Sequence, residues 1–410
     1  MKDVAAGALA LAACVAGASA AQAQEIVLKP LIDARLRYEH VDQQGIADTA
    51  EAVTLRVRSG VQASTGPFSA LVESESTLAI GPHYNDGYNG KPLPVVGDAQ
   101  NIELNRAQLR YADHGVALTG GRQLVELGDQ RFIGSANWRQ NRRTFDAVRG
   151  QWTALPGLSV DATYAWSERD ITGIKGTPAR PQAIGGNFWF GNVAYAMPLG
   201  TLTGFAYLID ERSNGIAGAR LSSQTYGGRY AGNRKLGGSG WTLGYIASVA
   251  RQSDYARNPN RYAATYWLGE ATLGRKVLSG TLGYEVLGAT RGAAAGTALT
   301  SVQTPLGSIF GFQGWADKFA TTPPDGVRDG YATLGATWKH AGLVSSYGIG
   351  ATVHRFDSDR ASRHYGDEID VIAQAKIARY TVAARYAHYR ADTFATDTDK
   401  LWLSVEWVFN

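Results

Sequence analysis

Apolar residues after position 25 recur at every second place, and the three-and-four spacing of an amphipathic helix is scarce. This alternation is what most restricts the fold, because only an extended strand puts successive side chains on opposite faces. In Val53-Thr54-Leu55-Arg56-Val57-Arg58 the apolar residues take the odd positions. Val160, Ala162, Tyr164 and Trp166 share a face, as do Ile369, Val371, Ala373 and Ala375, opposed by Glu368, Asp370, Gln374 and Lys376. The uncharged run Pro181 to Ile209 is long enough to suggest a membrane helix. Yet Pro198-Leu199-Gly200 interrupts it and its apolar residues alternate, so it reads as two strands joined by a tight turn.

Eighteen candidate strands follow, over 26–42, 50–64, 67–80, 100–112, 115–122, 143–153, 158–168, 187–197, 201–210, 218–231, 239–251, 262–273, 277–290, 329–339, 343–355, 367–378, 380–391 and 398–409. Sixteen is the alternative count. Their joints alternate in length. Thr65-Gly66-Pro67, Asp113-His114-Gly115, Leu155-Pro156-Gly157, Pro198-Leu199-Gly200, Gly274-Arg275-Lys276, His340-Ala341-Gly342 and Ala378-Arg379-Tyr380 are short, with Gly232 to Gly238 the long member of that set. The joints at 81–99, 123–142, 169–186, 252–261, 291–328 and 356–366 are mostly long.

Alternation alone fits two solvents. A sandwich buries its apolar face in a core, whereas a membrane barrel turns it to lipid and its polar face to a wet lumen. A sandwich has no reason to sort short joints to one end and long ones to the other. Outer-membrane barrels do so, with short periplasmic turns and long extracellular loops, and closure removes the unpaired edges that lipid forbids. The expected fold is therefore all-β: a closed antiparallel transmembrane β-barrel in the outer membrane of a Gram-negative cell. Tyr164, Trp166, Trp189, Tyr195, Tyr207, Trp241, Tyr245, Tyr266, Trp267, Tyr284, Trp338, Tyr347, Tyr386, Trp402 and Trp407 lie in or near strand ends, where rings favour the headgroup level. The last strand alternates Leu401, Leu403, Val405, Trp407 and Phe409, the kind of ending that barrel-assembly machinery reads, although Asn410 follows the Phe.

The ends agree with export. Lys2, the apolar stretch Val4 to Ala18 and the Ala-x-Ala frames at Ala18-Ser19-Ala20 and Ala21-Gln22-Ala23 read as a signal peptide over 1–23, cleaved after Ala20 or Ala23, before a barrel domain over 24–410. Cys14, the only cysteine, lies in that peptide, and Leu11-Ala12-Ala13-Cys14 gives lipoprotein processing as the alternative. Ordinary cleavage leaves no disulfide and no cysteine-based metal site. A formal charge of +4 is too mild for a nucleic-acid binder. No metal or cofactor motif is visible, although loop carboxylates could hold an adventitious Ca²⁺.

If the apolar face meets lipid, the other face lines a pore. Strand one then turns Asp33, Arg35, Arg37 and Glu39 inward, strand two Arg56 and Arg58, and strand three Glu73 and Glu75. In strand four the phase breaks near Asn105, with Glu103 inward before it and Arg106, Gln108 and Arg110 after it, as a bulge would produce. Arg149 and Gln151 oppose Val148 and Trp152 in strand six. An arginine facing lipid at the midplane costs roughly 2–4 kcal/mol, so the lumen is where these charges belong. There they form either salt-bridge ladders, such as Arg56/Arg58 against Glu73/Glu75, or a path for anions. A barrel this wide needs narrowing to be selective. The loop Gln123 to Arg142 and the loop Arg291 to Arg328 are the candidates, the alternative being that they cap the barrel from outside. Their aromatic and charged residues suit a sugar ring bearing a carboxylate.

Gly121-Arg122-Gln123, Arg131-Phe132-Ile133-Gly134, Trp138-Arg139-Gln140-Asn141 and Thr144-Phe145-Asp146-Ala147-Val148-Arg149 resemble the alginate export family of outer-membrane barrels. Gly314-Trp315-Ala316-Asp317-Lys318-Phe319, with the Thr-Pro and Gly-Val-Arg-Asp-Gly-Tyr after it, looks like that family too. The resemblance spans the mature chain and is most specific over 121–149. It implies an eighteen-stranded monomeric barrel with an arginine-rich constriction, carries a role in the solute path to Arg122, Arg131, Arg139, Asp146 and Arg149, and makes a polyuronate such as alginate the implied solute, by export or diffusion. A less selective carbohydrate or anion porin is the alternative. Implied partners are outer-membrane lipids, an anionic polysaccharide or oligosaccharide, the assembly machinery and periplasmic export proteins.

Three rivals differ in kind. An outer-membrane enzyme would need a nucleophile set, and the only histidine cluster worth naming, His354 and His364 with Asp357 and Asp359, reads more plainly as a solvated loop. A receptor with a plug domain is not expected, because strand one begins almost at the mature terminus. A structural barrel would have no free lumen arginines.

Overall fold

The computed structural model describes residues 25–173, 182–213, 215–340 and 342–409; the expected signal peptide lies outside them. Among the described residues eighteen strands occur in chain order: β1 (Val27–Gln43), β2 (Ala50–Thr65), β3 (Phe68–His83), β4 (Asn101–Asp113), β5 (Val116–Gln123), β6 (Thr144–Trp152), β7 (Leu158–Arg169), β8 (Ala183–Met197) and β9 (Gly200–Glu211). Then come β10 (Ser223–Leu236), β11 (Trp241–Asp254), β12 (Ala263–Arg275), β13 (Leu278–Leu287), β14 (Val327–Lys339), β15 (Val344–Asp357), β16 (His364–Ile377), β17 (Tyr380–Ala391) and β18 (Thr398–Phe409). Each pairs antiparallel with the next, and β1 pairs with both β2 and β18, so the sheet closes on itself. The expected eighteen-stranded antiparallel barrel is the fold.

Two local expectations are settled by register. Glu73 pairs with Arg106 and Ser74 with Leu104, leaving Asn105 as the extra residue of the expected bulge. Strand β10 runs further than its sequence suggests. Asn233, Arg234 and Lys235 look like loop residues, yet they pair with Gly244, Leu243 and Thr242. At the barrel rim both faces can meet water, so polarity does not end the ladder. The turn after β10 shrinks to 237–240, and a short helix, Gly215–Ala219, occupies the place where the strand was expected to begin.

The outer face is a continuous apolar band, with Val72, Leu109, Val193, Val249, Leu282, Leu334, Ile349 and Leu403 all exposed. Ring pairs border it at both ends. Tyr164–Trp189 (4.3 Å) and Trp267–Tyr284 (5.1 Å) lie towards the long loops. Phe68–Tyr111 (5.3 Å) and Trp338–Tyr347 (5.1 Å) lie towards the short turns. Tyr207, Tyr266 and Trp402 depart from the interface expected for them. All three are buried on the lumen face, where alternation from Leu401 and Leu403 already places Trp402.

The lumen is not uniformly polar. Phe188 and Phe190 of β8 and Tyr207 of β9 point inward with Phe145 and bury Ile133 and Leu306 from two long loops. A second cluster packs Phe319 against Phe356, Tyr389 and their neighbours. This explains the uncharged run 181–209: its strands face lipid on one side and in-folded loops on the other.

Leu334, 74% exposed near the middle of β14, tests the orientation of the faces. Leu334→Arg should destabilise the barrel by about 2–4 kcal/mol in denaturant titrations in lipid. Thr333→Arg, at a lumen-facing position beside Thr352, should cost clearly less.

Candidate functional site

Two loops fold into the barrel and build its narrow part: loop A, 124–143, between β5 and β6, and loop B, 288–326, between β13 and β14. Loop A is held by the arginines of β1 and β2. Arg35, midway along β1, donates to Gln140 Oε1 (2.8 Å) and to the carbonyls of Asn137 (3.2 Å), Trp138 (3.0 Å) and Arg139. Arg37 donates to the Trp138 carbonyl (2.5 Å) and pairs with Asp98 (3.0 Å). Arg58 donates to Asn137 Oδ1 (3.1 Å) and pairs with Glu75. Hydrogen bonds to a charged group contribute about 1.5–3 kcal/mol each, so the loop is fixed by several such bonds at once.

Carboxylates on the far wall hold loop B. Glu368 Oε1 of β16 accepts the backbone N–H groups of Trp315 (2.5 Å) and Ala316 (2.8 Å). Gly314, at φ +77°, lies so close that a Cβ there would stand 2.5 Å from the Glu368 carboxyl. Glu285 of β13 accepts from Gln313 and from Arg131 of loop A (2.8 Å). The loops also join each other: Gly134 N donates to Leu306 O (2.8 Å), and Trp138 stacks on Phe310 with centroids 3.5 Å apart and planes 9° from parallel.

Eight of the ten arginines expected in the solute path have a carboxylate partner. Besides Arg37–Asp98, Arg58–Glu75 and Arg131–Glu285 (2.8 Å), these are Arg56 with Asp33 (2.5 Å) and Glu406 (2.8 Å), Arg106–Glu73 (2.5 Å), Arg122–Asp146 (2.7 Å), Arg139–Asp317 (2.6 Å) and Arg149–Asp161 (2.6 Å). The ladder drawn from sequence is half right: Arg58 faces Glu75 across the strands, but Arg56 faces Thr77. Among the described residues Arg35 has only neutral acceptors, and Arg110 donates to Thr119 (3.0 Å) and Gln151 (3.1 Å). Arg106, Arg122 and Arg149 keep 15–19% of their side chains accessible, and Arg56 none.

Other site residues went unread in the sequence. Arg385 of β17 lies over the Trp138 ring (4.9 Å), whose face Arg37 also approaches (4.3 Å). Its inward position follows from Val382, Ala384 and Tyr386 on the other face. Arg142 reaches Glu73 (3.1 Å), and Lys400 reaches Asp317 (2.8 Å); only the folded loops create these contacts. His354 leaves the loop cluster expected of it, being buried in β15 with its Nδ1 2.9 Å from Asp329.

The sequence profile of the family described as alginate export matches residues 31–241, just over half of the chain. The chain belongs to the alginate export family. No curated protein sequence matches it. Solved structures with a similar fold include OccD3 (OpdP) of Pseudomonas aeruginosa, at TM-score 0.64 and 15% identity over 95% of this chain and 93% of that one. OccAB1 of Acinetobacter baumannii gives 0.67 and 11% over 93% and 97%. OpdK of Pseudomonas aeruginosa, solved with vanillate, gives 0.65 and 12% over 93% and 98%. This alginate export family barrel is an outer-membrane porin.

Charge at its constriction depends on pH. Burial, reinforced by Lys400 nearby, pushes the Lys318 ammonium down to about 8. Burial alone would raise Asp317, but Arg139 and Lys400 outweigh it and hold its carboxyl down to about 2. Lys318 is therefore charged below about pH 8 and neutral above it, while Asp317 stays ionised over that range. Chloride-over-potassium selectivity should fall as pH rises through 8, and Lys318→Met should flatten that profile. Gly314→Ala should displace loop B from Glu368, since left-handed backbone costs a non-glycine residue roughly 1–2 kcal/mol and the Cβ collides. Single-channel conductance should increase or become noisy, with the barrel still folded by circular dichroism.

Proposed function

We propose that this porin conducts an anionic carbohydrate, a polyuronate such as alginate, through a constriction lined by arginine. The observation that carries the reading is the distribution of guanidinium groups. Strands β1 to β7 turn Arg35, Arg37, Arg56, Arg58, Arg106, Arg110, Arg122, Arg149 and Arg169 inward. The same strands also bury Glu39, Glu73, Glu75 and Glu168, so the reading rests on the arginines that stay accessible or lack a carboxylate. A uronate carboxylate passing the accessible Arg106, Arg122 and Arg149 can exchange with their Glu and Asp partners at similar geometry, while Arg110 and Arg385 add charge with no carboxylate bound to them among the described residues. Such groups lower the entry barrier of an anion by replacing part of its hydration. OpdK, solved with vanillate, is a barrel of similar fold found with a small carboxylate. In this reading the working unit is a monomer set in lipid, folded by the barrel-assembly machinery and supplied by periplasmic export proteins where the direction is outward.

The pairing of eight arginines favours a second reading, a less selective anion or carbohydrate porin in which most of these groups hold the loops. Reversal potentials of the mature protein in planar bilayers, followed by titration with oligouronates, separate the two. The first reading expects anion selectivity and block by uronates at concentrations where neutral sugars do little, weakened about tenfold or more in Arg122→Gln/Arg149→Gln. Equal block by both sugar classes supports the second. Cation selectivity that uronates leave untouched would sink both.

A further inference from the structure

Between the two in-folded loops and the loop ends of β7 and β9 lies a cavity of about 300 Å³, at the lower end of the range of about 300–1,000 Å³ that holds small ligands. Trp138 and Phe310, stacked on each other, lie at its base, and Glu168, Asp170, Thr172 and Glu211 line the side formed by β7 and β9. Two of these carboxylates are answered within the protein: Arg143 pairs with Glu168 (2.6 Å) and approaches Asp170 (3.6 Å).

Glu211 and Thr172 are not answered. Glu211 is 2% exposed and makes no ion pair among the described residues, and its Oε2 is buried without a hydrogen-bond partner. The Thr172 hydroxyl, on a residue 5% exposed, is in the same position. Buried polar atoms in native proteins nearly always have partners. Two orphans lining one cavity therefore point to a ligand that supplies donors there. Glu168, Asp170 and Glu211 face Arg143 on this side, so hydrogen-bond acceptors predominate there. The described residues do not hold three or more potential metal ligands in one place. A side this rich in carboxylate acceptors suits a hydroxylated ring, whose hydroxyls donate to them.

We propose that this cavity is a saccharide subsite at the mouth of the channel, in which Glu211 and Thr172 bind the hydroxyls of a glycosyl unit. The proposal deepens the carbohydrate-channel reading and rests on it, but it uses different chemistry from the arginines below. Hydroxyls are recognised at the mouth and carboxylates at the constriction.

The test is calorimetric titration of the purified full barrel in detergent with uncharged hexasaccharides, maltohexaose and cellohexaose. Thr172→Val and Glu211→Leu remove the orphan atoms without breaking a side-chain hydrogen bond seen among the described residues, and retained salt conductance would confirm that each variant folds. Binding of at least one hexasaccharide to the native protein, weakened about tenfold or more in the double variant as expected for the loss of two hydrogen bonds, supports the subsite. No binding of either sugar, or equal binding by native and variant protein, overturns it. The channel reading is judged separately, by reversal potential and uronate block of the native protein, so either can fail alone.

Discussion

Hydrocarbon offers no hydrogen bonds, so every backbone N–H and C=O at membrane depth must find a partner within the chain. In this porin the requirement is met by β1, which pairs along its length with β2 on one side and from Ile32 upward with β18 on the other. The first and last strands thus remove each other's edge. Once the ring is closed, every residue faces either lipid or lumen. The cost of an arginine in lipid then sorts the alternating sequence onto the two faces without further instruction.

An eighteen-stranded ring with nothing inside would be a wide hole. Here the same arginines that cannot face lipid hold loop A across it, and carboxylates of the opposite wall hold loop B. Buried ion pairs are weak sources of net stability, because desolvation cancels much of their attraction. Their use here is geometric: Arg35 with its four acceptors and Glu368 with its two N–H donors each fix one loop position. The clamp between the loops, Trp138 on Phe310, sits beneath the mouth cavity and beside Arg37 and Arg385, so apolar packing and charge meet at the narrowest part.

This division gives the arginines two kinds of work. Arg56 and Arg58, fully buried among carboxylates, hold the wall together. Arg106, Arg122 and Arg149 remain partly accessible and still carry their charge into the lumen. Arg110 and Arg385 have no carboxylate bound to them among the described residues.

The strands, their number, the bulge at Asn105 and the inward direction of Arg35 to Arg58 were legible in the sequence because each follows from a period of two and from the penalty for charge in lipid, both local properties. The pairing of Arg56 with Glu406, 350 positions away, was not, because it depends on ring closure. Nor were the inward rings of Tyr207 and Tyr266, whose burial requires loops that only the folded barrel brings to them. Sequence by itself determined that the charged side chains of the first strands face the lumen. Only the tertiary structure decided which of them are spent on holding loops and which remain for a solute, since that depends on where two long, non-periodic segments come to rest.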